Sequence, residues 1–271
     1  MINIQSNVEH KELILKGYSI HYFCAGESTK DLIIFLHPAF ADHTCFDKQI
    51  DFFSKNFRVI SIDMLGHGLS KVAKAKDKID ATVSHIDEIL RLEGFQNAHI
   101  VGVSVGSLIA QYFGLKHPEK VKSMTILGGY DINADNSEIS KAQRSEQLKW
   151  IFKALFSMNS FRRYVATVSV SNIESQVLYY EMSKMFTRKS FMAMSGLGNV
   201  IQKRDNIALP YPLCIMNGEK DLELAKKTSK KWHDLAPNSK YYLIEDAGHC
   251  ANMDNSEKFN ELLMDFIKQI Q

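Results

Sequence analysis

Three short, predominantly apolar runs constrain this chain more than any other feature: Leu32-Ile33-Ile34-Phe35-Leu36, Arg58-Val59-Ile60-Ser61-Ile62 and Ala98-His99-Ile100-Val101-Gly102-Val103. A strand with one wet face alternates polar and apolar residues, whereas runs of this kind belong to strands buried on both faces of a parallel sheet. Between the second and third runs, Ile79, Val83, Ile86, Ile89 and Leu90 recur at helical spacing. Strand, helix and strand at this spacing form right-handed crossover units, which build a doubly wound α/β sheet. A polar-apolar alternation from Glu12 to Cys24, broken at Lys16-Gly17, reads as an antiparallel hairpin ahead of them. Beyond the third run, Leu108 to Leu115 continues as a helix that stops before Pro118, and Val121 to Leu127 supplies the next strand.

The alternation then lapses. From about Asp131 to Ile207 only helical periodicities occur, rich in Phe and Met, and β-α alternation resumes with a strand at Pro212 to Asn217. A helix through Leu224 and Trp232, a strand at Lys240 to Glu245 and an amphipathic helix with Phe259, Leu262, Leu263, Phe266 and Ile267 complete the chain. The expected architecture is a doubly wound, mostly parallel sheet (residues 1–130 and 208–271) interrupted by an all-helical cap (residues 131–207). An insertion at a strand-to-helix connection lies over the carboxyl edge of the sheet, where such folds bind ligands.

At 271 residues with 45% hydrophobic content, the chain can bury one large core. A net charge of +2, with no basic arm or block, argues against a nucleic-acid partner. The stretches Lys71 to Lys78 and Lys226 to Lys231 read as solvated surface. No signal-peptide pattern opens the sequence and no apolar stretch reaches membrane-spanning length, so a cytoplasmic location is expected. Cys24, Cys45, Cys214 and Cys250 are widely spaced without a CxxC pair, which argues against a zinc ribbon or dithiol centre.

Gly102-Val103-Ser104-Val105-Gly106 is a G-x-S-x-G match at the junction of an expected strand and an expected helix. A nucleophile there sits in a tight turn, and the glycines let strand and helix backbones approach. Its hydroxyl lies at a helix amino terminus, where N–H groups and the dipole favour negative charge. Without that context Ser104 would read as a helix N-cap. Two further groups follow expected strands in the order acid, then histidine: Gly218-Glu219-Lys220-Asp221 and Asp246-Ala247-Gly248-His249. Both leave the same sheet edge as Ser104.

With these motifs in place, the chain resembles the α/β-hydrolase superfamily from its first hairpin to its last helix. The family's nucleophile falls on Ser104, its acid on Asp221 and its histidine on His249. Asp63-Met64-Leu65-Gly66-His67-Gly68-Leu69-Ser70 matches the family's D-x-x-G-x-G-x-S segment, in which Asp63, Gly66 and Gly68 read as loop architecture. Some relatives place the acid after the preceding strand, which makes Asp131 the alternative to Asp221.

The resemblance implies acyl transfer through an acyl-enzyme, with His249 as general base and Asp221 fixing its tautomer. One oxyanion donor is the Val105 N–H. The second comes from the loop after Leu36, where relatives have His-Gly and this chain has His37-Pro38. Proline lacks an N–H, but in the family's His-Gly-x pattern the donor is the x residue, which falls on Ala39, with Phe40 as the alternative. Ser107 is a second departure, standing where many relatives have glycine. No metal, nucleotide or redox cofactor is called for, and no Gly-Lys-Ser/Thr follows the glycine segment as a phosphate loop requires.

The expected partner is a small-molecule ester or thioester with an apolar acyl or alkyl group. Phe40, Phe152, Phe156, Met185 and Phe186 are candidate pocket residues. C–C bond hydrolysis, acyl transfer, perhydrolysis and a non-catalytic ligand receptor are the competing readings. The oligomeric state is left open.

Overall fold

The computed structural model describes residues 8–72, 76–205, 207 and 209–270. The amino-terminal reading over residues 1–7, residues 73–75 of the first basic stretch and residue 208 at the expected cap boundary lie outside the described residues.

The expected hairpin forms from β1 (Glu9–Leu15) and β2 (Tyr18–Ala25), and the three apolar runs become β3 (Leu32–Leu36), β4 (Arg58–Ile62) and β5 (Ala98–Val103). β6 (Val121–Leu127), β7 (Leu213–Gly218) and β8 (Ser239–Ile244) complete an eight-stranded sheet of order β1-β2-β4-β3-β5-β6-β7-β8. Pairing is antiparallel for β1–β2 and β2–β4 and parallel from β4 to β8.

Side chains alternate across this sheet with period two, so each strand feeds two cores. Leu32, Ile34 and Leu36 of β3 point to one, with Ile60 and Ile62 of β4. That face is covered by α2 (Thr82–Glu93), α3 (Val105–Lys116) and Trp232 of α9 (Glu223–Leu235). Ile33 and Phe35 point the other way, into Phe53 of α1 (Asp47–Phe53) and Phe259, Leu263 and Phe266 of α11 (Ser256–Lys268). Each such large side chain contributes about 1.5–3 kcal/mol on burial. Burial on both faces explains why β3 to β5 lack the alternation of a one-sided sheet.

Between β6 and β7 the described residues form helices and no strand: α4 (Ser137–Phe156), α5 (Met158–Ser169), α6 (Ile173–Ser183), α7 (Phe191–Met194) and α8 (Leu197–Val200). A final short helix, α10 (Ala251–Asp254), follows β8 and precedes α11. No helix among the described residues is long and apolar enough to cross a membrane.

Candidate active site

Ser104 follows the last residue of β5 and precedes the first of α3, with φ 53 and ψ −117. A non-glycine residue in this region carries about 1–3 kcal/mol of strain, so the surroundings must hold it. They do so through three bonds: the Ser104 N–H donates to Leu127 O (2.8 Å), and Ser104 O accepts from the Ser107 N–H (2.9 Å) and Ser107 Oγ (2.5 Å). Ser107, which departs from the family's glycine, therefore helps lock the turn. The flanking glycines are sterically required. A Cβ on Gly102 would strike the Gly106 carbonyl, and one on Gly106 would strike the Leu36 carbonyl of the neighbouring strand.

The acid and histidine leave the carboxyl ends of β7 and β8, beside that turn. His249 Nε2 lies 2.8 Å from Ser104 Oγ, and His249 Nδ1 lies 2.9 Å from Asp221 Oδ1. A carboxylate only accepts, so Nδ1 carries the proton and Nε2 presents its lone pair to the serine hydroxyl. Asp221 is buried and further held by the Leu222 N–H on Oδ1 (2.8 Å) and by Asn217 Nδ2 on Oδ2 (3.1 Å). Burial alone would raise the Asp221 carboxyl, but the charge and hydrogen bond of His249, with those two donors, hold it below the ordinary value. Burial likewise disfavours the His249 cation, yet Asp221 outweighs it and the histidine titrates above its ordinary value. The His249 side chain keeps 23% exposure. Asp131 is engaged elsewhere: its Oδ1 accepts the Asn133 N–H (2.8 Å), and burial raises its pKa.

The loop after β3 faces Ser104 from the neighbouring strand. Because the Met64 N–H donates to His37 Nε2 (3.0 Å), the ring's proton sits on Nδ1 and donates to Pro38 O (2.8 Å). His37 is fully buried, and burial lowers its pKa. Tyr179 of α6 donates its hydroxyl to Ala39 O (2.5 Å), and Phe40 adopts the left-handed φ of 68. The peptides around Ala39 are thus fixed from both sides despite Pro38. Val105 is the first residue of α3, so its N–H has no carbonyl one turn earlier to bond. Asp63 accepts the His43 N–H on Oδ1 and the Leu69 N–H on Oδ2 (2.8 Å each), as loop architecture requires.

The candidate pocket residues divide. Phe40 and Phe186 pack at 4.9 Å within an aromatic cluster that also takes in buried Phe161 and the half-buried Trp150 and Phe191. Met185 is half-buried beside Phe186 in sequence. Phe152 and Phe156 do not join them. They stack on each other at 4.5 Å and stand 63% and 74% exposed. The reason is the rotation of α4, which turns Ala154 and Trp150 inward and the adjacent stripe to solvent.

Sequence reasoning missed three supports: Asn217, Tyr179 and Asp254. The Asp254 carboxylate accepts from the Gly248 N–H (2.8 Å), the Ser171 N–H (2.7 Å) and the Asn172 N–H (3.2 Å), tying the α5–α6 connection to the segment that carries His249. Asn217 alone had a local signal, a polar residue at the end of an apolar strand. Tyr179 and Asp254 act through contacts far apart in sequence.

The α/β-hydrolase fold profile matches residues 31–150. The (E)-2-((N-methylformamido)methylene)succinate hydrolase of Acinetobacter baylyi is 24% identical over 92% of this chain and 94% of its own length. The 2-hydroxymuconate semialdehyde hydrolase of Pseudomonas putida is 25% identical over 80% of this chain and 79% of its own. A carboxylesterase structure from the thaumarchaeon Nitrososphaera gargenis superposes with a TM-score of 0.80 at 17% identity, covering 97% of this chain and 98% of that one. The chain has the α/β-hydrolase fold and is similar in sequence to hydrolases of that superfamily. Its relatives and structural neighbours include C–C hydrolases as well as esterases.

Proposed function

We propose that this α/β-hydrolase is a serine hydrolase that cleaves an ester or thioester with an apolar acyl or alkyl group. The observation that carries the reading is the Ser104–His249–Asp221 relay, with contacts of 2.8 and 2.9 Å at a strained strand-to-helix turn. His249 removes the Ser104 proton as the hydroxyl attacks the acyl carbonyl. Asp221 keeps the imidazole in the productive tautomer and stabilises its cation. The N–H groups of Val105 and Ala39 receive the developing oxyanion, each worth about two to three orders of magnitude in rate. His249 then returns the proton to the leaving group, and water, activated by the same base, releases the acid.

In this reading residues 131–207 form a cap, and its aromatic cluster with Phe40 gives the acyl group an apolar wall beside the oxyanion loop. Phe152 and Phe156 are not part of that wall. Four buried free cysteines support a reducing compartment such as the cytoplasm.

The test is a set of p-nitrophenyl esters and acyl thioesters of graded chain length, assayed with the wild type and Ser104→Ala. Turnover should favour apolar over charged acyl groups and vanish in the variant. A preference for charged acyl groups contradicts the pocket assignment. C–C hydrolysis is the second reading, favoured by the names of several relatives. Cleavage of a vinylogous diketone in preference to every ester of the set would select it.

A further inference from the structure

We propose that His10, Glu12 and His21 form a binding site for a divalent transition metal of the zinc, nickel or copper class. The site is built by strand register. His10 and Glu12 are two residues apart on β1 and so share a face, and His21 of β2 stands directly opposite Glu12. One ligand atom from each of the three lies within 4.8 Å of the others.

The separations suit a small metal. His10 Nε2 is 2.9 Å from His21 Nδ1, and His21 Nδ1 is 3.6 Å from Glu12 Oε1. Metal–ligand bonds of about 2.0–2.1 Å in tetrahedral array place ligand atoms about 3.3 Å apart, between these two values. Paired imidazoles with one carboxylate favour zinc, nickel and copper over calcium or magnesium, which select all-oxygen sites. In the metal-free pair one ring donates its proton to the other. A tautomer shift of the donor ring exposes both nitrogens as lone pairs without loss of a proton.

The ligands are positioned in advance. The His10 ring stacks on Phe23 at 4.8 Å, and Phe23 stacks on His43 at 3.4 Å. His21 is pinned by its N–H to Ser70 Oγ (2.8 Å) and by its carbonyl, which accepts the Asp63 N–H (3.0 Å). Glu12 and His10 are exposed, which leaves room for water as the remaining ligand. A metal here clips the edge strand β1 onto β2 and raises the melting temperature progressively as free metal exceeds its Kd.

The experiment is calorimetric titration of the untagged full chain with zinc chloride, with magnesium and calcium chloride as controls. We expect one saturable zinc site and no binding of the other two. His10→Gln and His21→Gln should each weaken zinc binding by more than about tenfold, the range lost even when only a ligand's supporting partner is removed. Absence of saturable zinc binding, or unchanged affinity in both variants, overturns the proposal. Should His21→Gln fail to fold, the wild type supplies the second reading. Substoichiometric copper(II) must broaden the imidazole resonances of His10 and His21 before those of other histidines, and broadening that starts elsewhere contradicts the site.

Discussion

The carboxyl edge of the sheet and the helical segment between β6 and β7 solve the burial problem in opposite ways. Around Ser104, strand ends and the β3 loop are fixed by specific polar contacts: Ser107 to the Ser104 carbonyl, Asn217 to Asp221, His37 to Pro38. In α4 the residues Leu148, Ile151, Phe152, Leu155 and Phe156 form one helical stripe and are all exposed, while Ala154 behind them is buried. The first region holds three groups to hydrogen-bond precision, as proton transfer demands. The second packs Phe40 through aromatic side chains, whose contacts adjust more readily to ligands of different shape. On the proposed function, chemistry and selectivity fall to different parts of the chain.

The contrast breaks most visibly at the relay. Ser104→Ala and His249→Ala should each lower kcat by about four orders of magnitude or more, with little change in melting temperature. A loss below a hundredfold in either would mean that the sheet edge does not carry the reaction. Asp221→Asn should cost about three to four orders of magnitude, because the amide leaves the imidazole in the wrong tautomer. Asp131→Asn, whose carboxylate caps its own turn, should stay within a few fold, and the reverse ranking would exchange their roles. The same pair sets the pH response. His249 must be neutral to act as base and its pKa is raised, so kcat/KM should climb with pH through a midpoint above about 6.5. In Asp221→Asn, measured with an activated ester, that midpoint should fall, since burial then acts without the carboxylate.

Smaller effects sharpen the boundary between the two regions. Phe40→Ala removes the ring on which Trp150, Phe161 and Phe186 converge, and should destabilise by about 3–5 kcal/mol in denaturant unfolding. Asp254→Ala should cost about 2 kcal/mol and lower kcat, because it frees the His249 segment from the α5–α6 connection. An unchanged kcat would show that the helical segment does not support the histidine. The double change Phe152→Ser, Phe156→Ser should leave stability within about 0.5 kcal/mol and activity within about twofold.

Much of this was legible in the sequence because the signals are local. Burial on both sheet faces wrote β3, β4 and β5 as apolar runs, and the glycines of the turn stand where backbones nearly touch. The order of Ser104, Asp221 and His249 along the chain then placed all three on one sheet edge. What escaped was non-local. Tyr179 meets Ala39 across most of the chain's middle, and Asp254 reaches back to Ser171. The expected pocket role of Phe152 and Phe156 follows from the Phe- and Met-rich composition of the cap segment, which does not report which helix face is covered.

The central claim is that Ser104 is a nucleophile activated by His249. A fluorophosphonate probe, followed by proteolysis and mass spectrometry, reads this directly. The account predicts a single adduct on the peptide containing Gly102 to Gly106, located at Ser104 and absent from Ser104→Ala and His249→Ala. Folded wild-type protein that takes no label, or that takes it on another residue, would contradict it.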